Sequence, residues 1–80
     1  MATYKLRVFG IAREIMGGSL IAFESQATTV LDLKKEIHQQ FPRMQQLNSL
    51  YIAVNESYAA DGQALAETDE IALIPPVSGG

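Results

Sequence analysis

Thr29-Val30-Leu31-Asp32-Leu33-Lys34-Lys35-Glu36-Ile37-His38-Gln39-Gln40-Phe41 carries the strongest helical pattern in this chain of 80 residues. Val30, Leu33, Ile37 and Phe41 fall on one stripe at helical spacing, whereas Lys34, Lys35, His38 and Gln39 lie outside it. Thr29 and Asp32 have the spacing of a capping box, in which a hydroxyl and a carboxylate meet the first free backbone N–H groups; Asp fills the second place less often than Glu. Pro42 stops the helix. One long helix with an apolar stripe needs an apolar surface to cover, and the flanking sequence supplies strands.

Upstream, Thr3 to Phe9 alternates, with Tyr4, Leu6 and Val8 on one face and Lys5, Arg7 and Phe9 on the other, as a half-buried strand does. Ile11 to Met16 fits one short helical turn, Gly17-Gly18 breaks it, and Ser19 to Glu24 reads as a second strand expected to pair antiparallel with the first. Downstream, after a polar connection, Leu50 to Asn55 reads as a third strand with Leu50, Ile52 and Val54 facing one way. Asn55-Glu56 is a turn candidate because Asn tolerates φ > 0, and Tyr58 is placed in a short return strand. The chain turns again at Asp61-Gly62, Leu65 reads as a core anchor within a loop, and Glu70 to Ile74 is a last strand ended by Pro75. The order strand, strand, helix, strand, strand predicts an α+β fold with the helix over one sheet face.

Composition narrows the function. Eighty residues accommodate one domain, and 48% apolar with 19% charged residues is a globular composition. The net charge of −3, with Lys5, Arg7, Arg13, Lys34, Lys35 and Arg43 spread along the chain, offers no basic stripe for nucleic acid. The chain has no cysteine, hence no disulfide framework, thiolate metal site or thiol nucleophile. No charged leader with an apolar run and no membrane-length apolar stretch is present, so no membrane partner is expected and a cytoplasmic protein is.

The ending Pro75-Pro76-Val77-Ser78-Gly79-Gly80 differs in kind from what precedes it. Two prolines fix φ and donate no hydrogen bonds, which predicts a domain over residues 1–74 and an extended, flexible tail over 75–80. Six extended residues reach about 20 Å. Glycines without a Cβ can pass a narrow channel. A frayed terminus is the plainer account, but Pro-Pro shortly before a terminal Gly-Gly, with only Val77 and Ser78 between, favours a tail that works.

The run Asp69-Glu70-Ile71-Ala72-Leu73-Ile74-Pro75-Pro76-Val77-Ser78-Gly79-Gly80 resembles the C-terminal signature of the molybdopterin synthase small-subunit family, the ubiquitin-like β-grasp sulfur carriers. Phe9 with Arg13-Glu14 and a following glycine, Thr29-Val30 with Asp32-Leu33, and Val54-Asn55-Glu56 with Tyr58 are similar to that family in order and spacing, so nearly the whole chain is covered. Thr68 departs from it, standing where the family usually has a glycine. The resemblance implies a β-grasp fold: a mixed sheet covered on one face by a single main helix. It also implies that an ATP-dependent, E1-like adenylyltransferase adenylates the Gly80 carboxylate, and that a sulfur donor protein supplies the sulfur of a thiocarboxylate. The tail would then enter the large subunit of a heterotetrameric synthase, where cyclic pyranopterin monophosphate receives the sulfur. On this reading Gly80 and Gly79 are the reacting end, and the chain is non-catalytic alone. It holds no permanent cofactor and no metal; the ATP-derived adenylate and the thiocarboxylate are transient. Pro75, Pro76, Val77 and Ser78 would be gripped by the partner. Phe9 and Ile74 oppose the core residues of their strands by parity, and the resemblance makes them, with Tyr58, a docking face. A carrier for thiamine thiazole, cysteine or tungsten-cofactor synthesis, and a non-carrier β-grasp binding module with an inert tail, are the alternatives.

Other residues are set aside. His38 lacks companions for a metal site or triad and is expected on the solvated surface. Asp69 and Glu70, as neighbours entering a strand, point to opposite faces, which suits a structural or docking role better than acid–base work. Gly17-Gly18 lacks the rest of a phosphate loop and is read as a turn.

Overall fold

The computed structural model describes residues 2–47 and 50–75. Alternation of large apolar and polar side chains makes β1 (Ala2–Val8) bury Tyr4, Leu6 and Val8 and expose Lys5 and Arg7. β1 pairs antiparallel with β2 (Leu20–Ser25) and parallel with β5 (Glu70–Ile74), which pairs antiparallel with β3 (Tyr51–Val54). The two-residue β4 (Ser57–Tyr58) closes the far edge, giving the order β2-β1-β5-β3-β4. A parallel β1–β5 pair at the centre of an otherwise antiparallel sheet is the mixed sheet expected, and with one long helix it makes the β-grasp arrangement.

That helix, α2 (Val30–Gln40), starts where the sequence placed it, with the Thr29 hydroxyl accepting the Asp32 N–H at 3.3 Å. Val30, Leu33 and Ile37 are fully buried and share one apolar cluster with Leu6, Ile52, Ile71 and Leu73 of the sheet. Phe41 lies just past the helix and is half-buried. The connection read as merely polar instead forms a 3-10 helix, Pro42–Gln46, with Pro at its start and Met44 fully buried; a single apolar residue among polar ones has no periodicity to announce it. Leu65 is half-buried against the core, as expected of a loop anchor. His38 is half-buried on α2.

Three turns deserve their residues. Gly17, at φ 89°, ends α1 (Ile11–Met16), and the N–H groups of Gly17 and Gly18 both reach the Arg13 carbonyl, a helix cap that needs a left-handed residue. Asn55 and Glu56, at φ 52° and 71°, form the two-residue β3–β4 loop, the geometry whose twist matches that of the strands it joins. The turn containing Thr68 closes with the Asp69 N–H on the Ala66 carbonyl at 3.0 Å, and Thr68 keeps a negative φ, so no glycine is required there.

Tyr4 is the core residue with a polar tip. Its hydroxyl donates to the Ala27 carbonyl at 2.6 Å, and the Ala27 N–H donates to the buried Ser25 hydroxyl at 2.8 Å. Burial, then the carboxylates of Glu67, Asp69 and Glu36, raise the Tyr4 phenol above its ordinary value of 10.0.

Candidate functional site

The face of the sheet turned away from α2 is built by register. Arg7 of β1 lies opposite Ala72 of β5, Ala72 opposite Ala53 of β3, and Ala53 opposite Tyr58 of β4, so all four project from the same side. One step along, Ile74 pairs with Tyr51, and the Phe9 N–H extends the β1–β5 ladder to the Leu73 carbonyl at 3.3 Å. Two alanines in the middle and bulky side chains around them leave a concavity of about 350 Å³, bordered by Phe9, Ile74 and Tyr58 on its apolar side and by Arg7, Glu70 and Glu56 on its polar side.

Phe9, Tyr58 and Ile74, far apart in sequence, thus line one hollow. Phe9 is 48% exposed and Tyr58 is 73% exposed, unusual for rings with nothing to cover them. Tyr58 also meets Tyr51 edge to face, with ring centroids 5.9 Å apart. The polar rim is set by Arg7 Nε, 2.7 Å from Glu70 Oε1. Both groups are largely solvated, so the pair adds little stability; it orients charge at the edge of an apolar hollow. Sequence parity had Arg7 beside Phe9, but Tyr51, Ala53 and Ala72 were not singled out. Their signal was available: Tyr51 and Ala53 alternate with Ile52 and Val54, and Ala72 with Ile71 and Leu73, the residues that join the core cluster.

Asp69 and Glu70 do diverge. Asp69 accepts the Asn55 side-chain N–H at 3.1 Å and the Ala66 N–H at 2.9 Å, while Glu70 turns to Arg7. Both serve structure and rim. Among the described residues, no group of His, Asp and Glu side chains is placed to hold a metal ion, and no helix is long and apolar enough to cross a membrane. Pro75 is buried at the end of β5, where a Cβ on Gly10 would lie 3.0 Å from its Cγ. Pro76, Val77, Ser78, Gly79 and Gly80 lie outside the described residues.

Residues 6–80 match the ThiS family as a whole, from β1 through the final Gly-Gly. This chain belongs to the ThiS family. Among curated relatives, "Molybdopterin synthase sulfur carrier subunit" of Arabidopsis thaliana is 32% identical over 78 residues, spanning 95% of this chain and 81% of the relative. The protein of the same name from Caenorhabditis elegans is 32% identical over 84 residues, spanning 100% of both chains. Among solved structures, SAMP1 from Haloferax volcanii superposes with a TM-score of 0.78 at 26% identity, covering 99% of this chain and 100% of that one. The family resemblance read from the tail and its upstream companions is borne out, as is the ubiquitin-like β-grasp fold.

Proposed function

We propose that this ThiS-family chain is the sulfur carrier of a molybdopterin synthase, working in the cytoplasm through the carboxylate of Gly80. The observation that carries it is the full-length similarity to two proteins named as that synthase's sulfur carrier subunit. The apolar hollow supports a partner on that sheet face. A carboxylate is a poor electrophile, so the Gly80 carboxylate first attacks the α-phosphorus of ATP on an E1-like enzyme, releasing pyrophosphate. The resulting acyl adenylate then loses AMP to sulfur at the oxidation level of sulfide, leaving a thiocarboxylate. This modification gives a cysteine-free chain its nucleophile. The tail delivers that sulfur to cyclic pyranopterin monophosphate within the large subunit, which supplies the acids and the phosphate-binding groups.

Intact-mass measurement after incubation with ATP, an E1-like activating enzyme and sulfide tests the carrier reading. One oxygen exchanged for sulfur at the C-terminus is expected; an unchanged mass would sink it and favour the inert-tail binding module. Molybdopterin formation with a synthase large subunit, set against thiazole formation with a thiazole synthase, separates this assignment from the thiamine-type carrier.

A further inference from the structure

Gly10 and Pro75 meet where the sheet ends and the tail begins. Gly10 has φ 59° and ψ −142°, close to a region that only glycine occupies without strain. Its missing Cβ is also used: a Cβ there would stand 3.0 Å from Pro75 Cγ and 3.8 Å from Cδ. The notch is held on both sides. The Gly10 carbonyl accepts the Arg13 N–H of α1 at 3.1 Å, and the neighbouring Phe9 N–H donates to Leu73 in β5 at 3.3 Å. The Pro75 ring is bonded to the backbone at both N and Cα and has no side-chain rotamer to swing away, so displacing it displaces the chain from which Pro76–Gly80 continues.

We propose, resting on the carrier reading above, that Gly10 is a positioning residue: its bare backbone seats Pro75 and fixes the point and direction from which the tail reaches a partner's active site. The lever is long enough for this to matter. Five residues span at most about 17 Å when drawn out taut in a partner's channel, so a shift of Pro75 there is passed to the terminal carboxylate, where an error of about 1 Å already costs rate heavily. Gly10 touches no reacting atom and acts through Pro75 alone.

The test is the initial rate of thiocarboxylate formation, followed by intact mass with ATP, an E1-like activating enzyme and sulfide, for wild type, Gly10→Ala, Pro75→Gly and the double variant. Each single variant is expected to slow at least about tenfold at saturating activating enzyme, with little change in the half-saturating concentration. The double variant should be no slower than Pro75→Gly, because without the ring a Cβ at residue 10 has nothing to displace, and the backbone strain that Ala meets at φ 59° is read apart from the rate, as a fall in melting temperature shared by Gly10→Ala and the double variant. Wild type that takes up no sulfur refutes the carrier reading itself. Active wild type matched in rate by Pro75→Gly, or two single effects that multiply in the double variant, overturns the positioning role. If thermal melts show Gly10→Ala unfolded, Pro75→Gly and Pro75→Ala decide by the same comparison, wild-type rate in both overturning the proposal.

Discussion

Phe9 sits at the meeting of stability and recognition, since a ring 48% exposed contributes little to folding and much to any surface that covers it. Phe9→Arg is expected to weaken binding to the synthase large subunit by at least about 2 kcal/mol while leaving the melting temperature close to wild type. Unaltered affinity in a calorimetric titration would remove Phe9 from the docking face. Tyr4 is the opposite kind of residue, buried and bonded through its hydroxyl to the Ala27 carbonyl. Tyr4→Phe should cost about 1–2 kcal/mol by leaving that carbonyl without its donor. It should also change the pH profile. The raised phenol pKa means the folded state holds its proton more tightly than the unfolded chain, so this stabilisation is complete below pH 10.0 and lost as pH rises from there through the folded-state value. Denaturant melts at about pH 8 and about pH 11.5 should show an alkaline loss in wild type that is smaller in Tyr4→Phe.

Among elements, the β3–β4 hairpin shows how a local turn and a distant strand fix one another. Asn55 was read as a turn residue for its tolerance of positive φ, and it has φ 52°. Its side chain does more: Oδ1 accepts the Glu70 N–H at 3.0 Å and Nδ2 donates to Asp69, while its backbone N–H donates to the Glu70 carbonyl at 2.8 Å. The turn is thereby tied to the start of β5, which sets where Tyr58 falls against Ala53 and Ala72. Asn55→Ala loses both side-chain bonds and the residue type that accepts this φ, and is expected to destabilise the fold by about 1–3 kcal/mol. If a chemical melt showed no loss, the side-chain ties would be incidental to the hairpin.

For the molecule as a whole, folding and function should separate at the C-terminus. Deleting Gly80 leaves every described core contact in place and still ends the chain in a carboxylate, but the reacting carbonyl then stands about 3.5 Å short. Sulfur transfer should fall to background with the thermal melt unchanged; wild-type transfer by the shortened, folded chain would exclude Gly80 as the cargo site. This test is independent of Gly10 and Pro75, because it changes the length of the lever and not its base.

What the sequence determined by itself was everything that local pattern and covalent chemistry control. Alternation in Thr3–Phe9 and helical spacing from Val30 to Ile37 named all of the buried residues of β1 and α2, because burial on one face imposes a period. Thr29 announced the helix start and Pro42 its end, and the Pro-Pro-Val-Ser-Gly-Gly ending with its upstream companions carried the resemblance to the family. Strand ends moved by a residue or so, Leu20–Ser25 in place of Ser19–Glu24 and Tyr51–Val54 in place of Leu50–Asn55, because flanking residues extend the pattern beyond the last ladder bond. Tertiary structure alone decided which strands became neighbours. Parity could put Phe9 and Ile74 on the outer face, but a two-residue strand has no period of its own, so Tyr58 joined them only through the Ala53–Tyr58 register. Met44 was buried by a 3-10 turn with no repeating pattern, and Gly10 met Pro75 across most of the chain's length. Such contacts depend on pairings that close long loops, and no short window of sequence holds both partners.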